Sequence, residues 1–247
     1  MYCLELGNDN TPCYQSWAEE LCIACQHCMA VCPQAALSID NLTPAASFKT
    51  SYGNSAALLG LIQSRRSMRH FKDEEIPKDL LAKIEAMLPF TPTASNTNSL
   101  HFALVMSQEK MAAIRQATYA QAPLFSMISS KGLQRYDAMI AKGEDFIYRG
   151  APVMLAVAAL NERMEPPFHG LVDASIALTL VDLYAQSLGL GVVWCGLALH
   201  AALTIPKVLD LLEIPKAYTL CYTMLLGMPA VKYPRTVQPE PFSIKRL

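Results

Sequence analysis

Six of the eight cysteines of this 247-residue chain lie within its first 32 residues, and four of the six form one closely spaced run. The run has the spacing CxxCxxCxxxC and is followed directly by Pro33. This concentration of thiols marks a boundary between a short N-terminal module and a larger domain. The six residues are Cys3, Cys13, Cys22, Cys25, Cys28 and Cys32.

The cellular compartment decides whether such thiols form disulfides or bind metal. The first residues lack a basic start followed by an apolar run, so we expect no signal peptide and a cytoplasmic location. The apolar stretch 174–203 is interrupted by Asp182, His200 and glycines, so no transmembrane helix is predicted. Because cytoplasmic thiols stay reduced, the cysteine run is expected to bind metal.

A polar segment over residues 41–54 (NLTPAASFKTSYGN) is rich in turn-forming residues and is typical of a linker. We therefore predict a module over residues 1–45 and a main domain over 46–247. The chain is 52% hydrophobic and only 17% charged, which favours a broad subunit interface as well as a large core. Its formal net charge of −1 offers no basic field for nucleic acid or an anionic membrane.

The cysteine run matches the ligand pattern of an iron–sulfur cluster. A CxxCxxC loop places three thiolates around one cubane, whereas structural zinc sites usually pair two CxxC knuckles across a longer stretch. Residues 18–40 resemble the second half of a clostridial-type ferredoxin, and the first of that family's two motifs is missing here. Two clusters would require eight cysteines, so we expect one 4Fe–4S cluster, with Cys22, Cys25, Cys28 and Cys32 as the candidate ligands.

The fourth ligand remains open at this stage. The resemblance to ferredoxin points to a cysteine from the preceding half, Cys3 or Cys13, while Cys32 is the alternative within the run. The chain is also expected to begin partway through the first half of the module. Whether the cluster assembles is therefore a separate question from which thiols would hold it.

The main domain shows more helical than strand patterns, and its predicted strands are widely separated. This favours an α+β fold whose sheet is sandwiched by helices. Asp173 is a good cap residue for the long apolar helix that follows it. The predicted helices are 55–64, 77–88, one starting near Ser107, 173–188 and 205–212, and the predicted strands are 101–106, 153–160 and 217–226.

Two polar segments of the main domain are candidates for binding a phosphorylated cofactor. Arg65-Arg66-Ser67-Met68-Arg69 could clamp a phosphate by charge-assisted hydrogen bonds, or it could be a solvated basic helix end. The turn 92–102 (PTASNTNSLHF) offers backbone N–H groups and the amides of Asn96 and Asn98 to a ring edge. An ordinary Asn/Ser/Thr loop is the alternative for this turn.

Together these segments resemble the nitroreductase family. RRSMRHF is similar to its phosphate motif, TPTASNTNSLHF to its ring-binding loop, and the segment from Gly189 to Gly196 to the glycine-bounded segment that approaches the flavin N5 edge. The segment LGMP followed by Lys232 and Arg235 is similar to its C-terminal motif. Asn98 stands where the family often has Gln, and a second C-terminal Arg is replaced near Pro239.

The resemblance implies FMN, held non-covalently at the interface of an intertwined homodimer. The implied phosphate ligands are Arg65, Arg66, Ser67, Arg69 and Arg235, and the implied ring contacts are Ala94, Ser95, Asn96, Asn98, Cys195 and Gly196. A lid over residues 118–150, with aromatics at 119, 125, 136, 146 and 148, is expected to set substrate choice.

The activity that this resemblance implies is ping-pong reduction of a nitroaromatic or quinone, with the chemistry on the flavin and no side-chain acid or base. Electrons would come from NAD(P)H or, through the cluster, from a ferredoxin-like donor. The alternatives are a reductive dehalogenase or a dehydrogenase on the same scaffold, or an electron-transfer subunit that serves a partner protein. Neither nucleic acid nor a membrane is expected as a partner.

Overall fold

The computed structural model describes residues 3–9, 11–39, 41–47, 49–121, 139 and 142–247. The chain divides into two compact units, and they do not follow the order of the sequence. The first unit is Met1–Gly53 together with Thr93–Asn98, and the second is Asn54–Pro92 together with Ser99–Leu247. The loop predicted to bind a ring therefore groups with the cysteine-rich segment. The predicted boundary at 45/46 stays a prediction.

The first unit contains a short antiparallel hairpin that the sequence did not indicate. Strand β1 (Leu4–Leu6) pairs with β2 (Pro12–Tyr14), and helices α1 (Ala18–Leu21) and α2 (His27–Val31) follow. Between the two helices the backbone turns through left-handed conformations at Ala24 (φ 49°) and Gln26 (φ 62°). The cysteine run therefore lies on a tight loop and one short helix.

The second unit is built around a four-stranded antiparallel sheet of order β3-β4-β6-β5. Short 3-10 turns occur at Leu88–Phe90 and Asn161–Arg163. The strands are β3 (Leu100–Val105), β4 (Val153–Leu160), β5 (Gly191–Trp194) and β6 (Tyr218–Gly227). The helices are α3 (Ser55–Ser64), α4 (Lys78–Met87), α5 (Gln108–Tyr119), α6 (His169–Ser187), α7 (Gly196–Thr204) and α8 (Pro206–Leu211).

Strand β4 shows how the sheet carries two cores. Its side chains alternate between the two faces, as expected for a strand. Val153, Leu155 and Val157 pack with α4 and α6, whereas Met154 and Ala156 pack with α5, α7 and α8. Helices therefore cover both faces of the sheet, and the predicted α+β sandwich is confirmed.

Most predicted elements of the main domain are present, but the start of the long helix was wrong. Helix α6 begins at His169, after Phe168 in a left-handed conformation, and not at Asp173. Asp173 lies one turn inside the helix and is buried. Asp is a preferred cap residue, but this one faces the core. Strand β5 and helix α7 were not predicted, because two glycines break the apolar pattern there. Within the described residues, no helix is long and apolar enough to cross a bilayer.

Candidate active site

The basic motif leaves helix α3 and continues as an extended segment beside the sheet. Helix α3 starts where the Asn54 side chain accepts hydrogen bonds from the N–H groups of Ala56 (2.9 Å) and Ala57 (3.1 Å). After its last residue the chain becomes extended at Arg65. The N–H of Met68 then donates to the carbonyl of Val192 in β5 at 2.7 Å. The motif is therefore fixed along the edge strand.

Two glycines allow this close approach. A Cβ at Gly191 would lie 2.6 Å from Cγ of Met68, and a Cβ at Gly227 would lie 2.7 Å from Cδ1 of Phe71. Real Cβ atoms do not come this close to other heavy atoms, so any side chain at these positions would push the segment off the sheet. Gly191 is thus required for packing the motif, in addition to the flavin approach that the resemblance implied.

A polar network that includes two side chains of helix α6 contacts the basic motif, and it was not predicted from the sequence. Oδ2 of Asp182 lies 3.6 Å from Nε of Arg65 and accepts a hydrogen bond from Nε1 of Trp194 at 3.1 Å. Gln186 donates from Nε2 to Oδ1 of Asp182 and accepts from the N–H of Arg66 at 3.0 Å. Two polar residues one turn apart in an apolar helix were the available signal.

The C-terminal segment runs alongside the same motif. The N–H of Lys72 donates to the carbonyl of Met228 at 2.8 Å, and the N–H of Ala230 donates to the carbonyl of His70 at 2.9 Å. Farther on, Cζ of Arg66 lies 5.8 Å from the ring centroid of Tyr233. Arg69 and Arg235 are exposed. The structure thus places Arg66 beside Tyr233, which is two positions before Arg235 in the sequence.

The junction of β5 and α7 holds Cys195 and Gly196. The N–H of Cys195 donates to the carbonyl of Thr223 at 2.9 Å, and its thiol donates to the carbonyl of Ile147 at 3.4 Å. Burial raises the pKa of the Cys195 thiol, which keeps it protonated. Gly196 is exposed, and a Cβ there would lie 3.3 Å from Oη of Tyr222. This position therefore offers exposed backbone next to a buried thiol.

The loop at residues 93–98 has an unusual backbone. Ser95 (φ 57°), Asn96 (φ 54°) and Asn98 (φ 48°) all adopt left-handed conformations, which Asn tolerates better than most residues. The N–H of Asn98 donates to Oγ1 of Thr93 at 3.0 Å, and the Thr97 hydroxyl donates to the carbonyl of Ala94 at 3.2 Å. These bonds give the loop one defined shape within the first unit.

Asn96 directs its side chain toward the cysteine loop. Its Nδ2 donates to the carbonyls of Ile23 at 3.0 Å and Ala24 at 3.2 Å. An amide nitrogen has two hydrogens, so both donors are used. Any contact between Asn96 and a flavin ring would come from its other atoms, and that contact stays a prediction.

The thiols of the first unit have different surroundings. The pKa of the Cys3 thiol is raised by burial and then by the neighbouring Cys22 and Cys25 thiols. The Cys13 thiol donates to the carbonyl of Glu5 at 3.7 Å. The N–H of Ala36 donates to Sγ of Cys32 at 3.3 Å and lowers the pKa of that thiol. In the described part of the chain, no three Cys, His, Asp or Glu side chains are grouped as a metal site.

Part of the predicted lid is a fixed polar cluster. The Asp145 carboxylate accepts hydrogen bonds from Nε of Arg115 (2.8 Å), from Oη of Tyr119 (2.6 Å) and from two backbone N–H groups. Phe146 and Tyr148 are buried in the core, and the control of substrate choice by region 118–150 stays a prediction. Phe125 and Tyr136, the other aromatics of the predicted lid, lie outside the described residues.

Comparison with known proteins agrees with this geometry. The nitroreductase family model matches residues 62–228, and a 4Fe–4S binding domain model matches residues 16–38. A Methanothermobacter thermautotrophicus protein, named as an NADH dehydrogenase/NAD(P)H nitroreductase, is 30% identical over 139 residues. That alignment covers 56% of this chain and 60% of the relative, so this chain spans less than two thirds of the relative's length.

Solved structures show the same fold. A nitroreductase with bound FMN from Desulfitobacterium hafniense is 24% identical, with a TM-score of 0.60, over 76% of this chain and 98% of its own. A second, from Bacteroides fragilis and also with bound FMN, is 21% identical, with a TM-score of 0.62, over 78% and 100%. Since the family model covers well over half of the residues, the chain belongs to the nitroreductase family of oxidoreductases and carries a 4Fe–4S binding motif near its N-terminus.

Proposed function

We propose that this oxidoreductase uses FMN, bound through its phosphate by the basic motif and the C-terminal segment. The observation that carries the proposal is the packing of residues 66–72 against residues 228–233, which brings the arginine-rich motif beside the segment that leads to Arg235. Guanidinium groups bind phosphate oxygens in bidentate geometry. Both solved relatives named above contain FMN, which supports the choice of cofactor.

The residues present fit such a cofactor. Nε of Arg65 faces Asp182 at 3.6 Å, and the side chain is 39% exposed, which gives a phosphate access to its terminal nitrogens. Exposed backbone at Gly196 and the polar loop at 93–98 suit the ring. When bound, FMN supplies hydride and single-electron chemistry. We assign the phosphate to Arg65, Arg66, Ser67, Arg69 and Arg235, and the ring to Ala94, Ser95, Asn96, Asn98, Cys195 and Gly196.

The proposed reaction is a ping-pong reduction of a flat electrophile, such as a nitroaromatic or a quinone, in the cytoplasm. NAD(P)H is one donor, which agrees with the name of the Methanothermobacter relative. A ferredoxin-like protein is the other, and its electrons would enter through the N-terminal cluster. The protein holds and orients the flavin, and no side chain is assigned as an acid or a base.

We further propose one 4Fe–4S cluster held by Cys22, Cys25 and Cys28, with Cys3 as the fourth ligand. The placement of the Cys3 thiol beside Cys22 and Cys25 supports this choice over Cys32. The donor set also fits, because four thiolates are the usual ligands of such a cluster. Cys32 instead accepts a backbone hydrogen bond from its own turn, and Cys13 donates across the hairpin.

A homodimer completes the proposal. Helix α3 has no buried residue, although its sequence is SAALLGLIQS, and it exposes Leu58, Leu59 and Ile62. Helix α6 exposes Leu171, Val172 and Ile176, which line a shallow groove with Thr179 and Leu180. Apolar surface of this extent on two helices is typical of a subunit interface.

Anaerobic purification followed by an absorbance spectrum tests both cofactors at once. We expect flavin bands on a broad iron–sulfur absorption, with iron and acid-labile sulfide in equal amounts. Replacing Arg65 and Arg69 together by Ala should abolish FMN retention while leaving iron and sulfide unchanged. Wild-type protein that is colourless and cannot be reconstituted with FMN would contradict the proposal.

Turnover of a panel of nitroaromatics and quinones with NADH, NADPH or reduced ferredoxin tests the reaction. Fast flavin reduction without turnover of any small acceptor would favour an electron-transfer subunit, and turnover of a halogenated substrate would favour a dehalogenase. For the cluster, Cys3→Ser should lose iron whereas Cys32→Ser should retain it. The opposite result would assign the fourth position to Cys32.

A further inference from the structure

Asn96 joins two loops that are far apart in the sequence. The carbonyls that accept its hydrogen bonds, those of Ile23 and Ala24, are the two residues between Cys22 and Cys25. The acceptor loop is therefore the stretch of backbone that two assigned cluster ligands enclose. The donor belongs to the loop assigned to the flavin ring.

Both partners are shaped for this contact. Ala24 has a left-handed backbone (φ 49°), as does Asn96 (φ 54°), and such conformations are uncommon outside glycine. The N–H of Asn96 donates to the carbonyl of Thr93 at 3.0 Å, which fixes the base of the side chain. Its two amide hydrogens then match two successive carbonyls. A carboxylate or an apolar side chain at this position would lack this pair of donors.

The grouping of the chain agrees with this contact. Thr93–Asn98 cluster with the N-terminal segment, although the residues on either side of them belong to the second unit. The loop is thus part of the same compact body as the cysteine run. If the N-terminal segment had no part in the function of the enzyme, this grouping of the loop with the cysteine run would not be needed.

We propose that Asn96 is a positioning residue that holds the cysteine loop against the loop 93–98, and that this junction is the route by which electrons pass from the cluster to FMN. The inference rests on the proposed function. Overall, two reduced ferredoxins each lose one electron, and FMN gains both electrons and two protons from solvent. Hydride transfer from NADH does not use this route.

The test compares two electron donors in the cofactor-loaded protein. Clostridial-type ferredoxin, reduced beforehand and freed of excess reductant, delivers electrons through the cluster, whereas NADH reduces the flavin directly. In Asn96→Ala, stopped-flow absorbance should show flavin reduction by ferredoxin slowed on the order of tenfold, the loss expected when a group that orients metal ligands is removed. Because Asn96 is also assigned to the flavin ring, both rates are measured at saturating FMN, and reduction by NADH should slow much less than reduction by ferredoxin. Freeze-quench EPR should show the reduced cluster accumulating.

Two further variants sharpen the comparison. Asn96→Asp turns a carboxylate toward two carbonyls and should slow ferredoxin-driven reduction at least as much as Asn96→Ala. Thr97→Ser keeps the hydroxyl that donates to the carbonyl of Ala94 within the same loop, and it should behave as wild type with both donors. If Asn96→Ala fails to retain the cluster, Asn96→Gln, which keeps both donor hydrogens on a longer side chain, replaces it in the same assay.

Several outcomes would overturn the inference. Wild-type rates with ferredoxin in the Asn96 variants would show that the junction carries no electrons. Equal slowing with both donors, together with weaker FMN binding, would show that Asn96 is simply a flavin ligand. Neither result affects the proposed function, which fails only if the wild-type protein binds no FMN.

Discussion

Oδ2 of Asp182 lies 3.6 Å from Nε of Arg65, so a nearly buried carboxylate stands behind a guanidinium that we assign to phosphate. The carboxylate also accepts hydrogen bonds from Trp194 and Gln186, and Gln186 in turn holds the backbone of Arg66. One residue of helix α6 therefore orients both the basic motif and the strand that precedes Gly196. Removing its charge should affect cofactor binding more than folding.

Asp182→Asn is expected to weaken FMN binding by about tenfold. A hydrogen bond to a charged group contributes about 1.5–3 kcal/mol, and the partial exposure of Arg65 places the effect at the lower end. Fluorescence titration of the apoprotein with FMN measures it. Lys83→Met removes an exposed ion pair to Asp79 and serves as the control, with no expected change. Wild-type affinity in Asp182→Asn would show that Arg65 needs no orientation.

Stability should decline in alkaline solution because of Tyr119 and Tyr148. Burial, foremost, raises the pKa of both phenols far above the usual value of about 10. Their contribution is complete below about pH 10; above it the unfolded chain ionises while the folded chain keeps its protons, so stability falls. The loss should approach about 1.4 kcal/mol per pH unit for each tyrosine.

Urea unfolding of Tyr119→Phe checks this prediction. The variant should lose about 1–3 kcal/mol near neutral pH, since the Asp145 carboxylate and the N–H of Ile147 each lose a hydrogen bond. In alkaline solution its free energy of unfolding should fall less steeply with pH, because one buried phenol fewer contributes to the slope. Tyr52→Phe is a suitable control, because Tyr52 is 95% exposed. An unchanged alkaline slope in Tyr119→Phe would place the lost proton elsewhere.

The two cysteines of the main domain should be unreactive in the folded protein. Burial raises the pKa of Cys221 to about 11, and it also raises the pKa of Cys195. At pH 8 only about a thousandth of the Cys221 thiol would be thiolate, which is the reactive form. Titration of cluster-free protein with a chromogenic disulfide should label at most six thiols quickly, and all eight in denaturant. Fast labelling of a seventh would disprove the prediction.

A charge on the exposed face of helix α6 should disrupt the proposed dimer. In Ile176→Glu the carboxylate would have to be desolvated at the interface, at a cost of several kcal/mol. Light scattering after size-exclusion chromatography should then report monomers, with FMN lost as well. Leu209→Glu is matched for exposure, since both side chains are 37% exposed, and it lies on α8. Assembly of Ile176→Glu as wild type would place the interface elsewhere.

The elements that were predicted correctly share a local cause. Strand β4 is a continuous apolar run because it is buried on both faces, and α3 has helical periodicity together with an Asn cap. Such patterns depend on neighbours in the sequence. The start of α6 was missed because Asp173 is a preferred cap residue type. The helix instead begins after Phe168, whose left-handed backbone no sequence pattern reveals.

The parts of the site that could not be predicted depend on distant partners. Asp182 was noted only as an interruption of an apolar stretch, because its partners Arg65 and Trp194 meet it only in the folded chain. Asn96 was assigned to the flavin because its residue type suits a ring edge. Its acceptors lie 72 and 73 positions earlier, and neither carbonyl has a signature in the sequence.

The membership of Thr93–Asn98 in the first unit bears on how such a fused enzyme can be altered. A chimaera made by grafting a different ferredoxin onto residue 54 would leave the native loop behind, in the middle of the host domain. The incoming segment would meet an Asn amide selected for other carbonyls. A functional chimaera should therefore take both the N-terminal segment and residues 93–98 from the same donor protein, since the two segments form one compact unit.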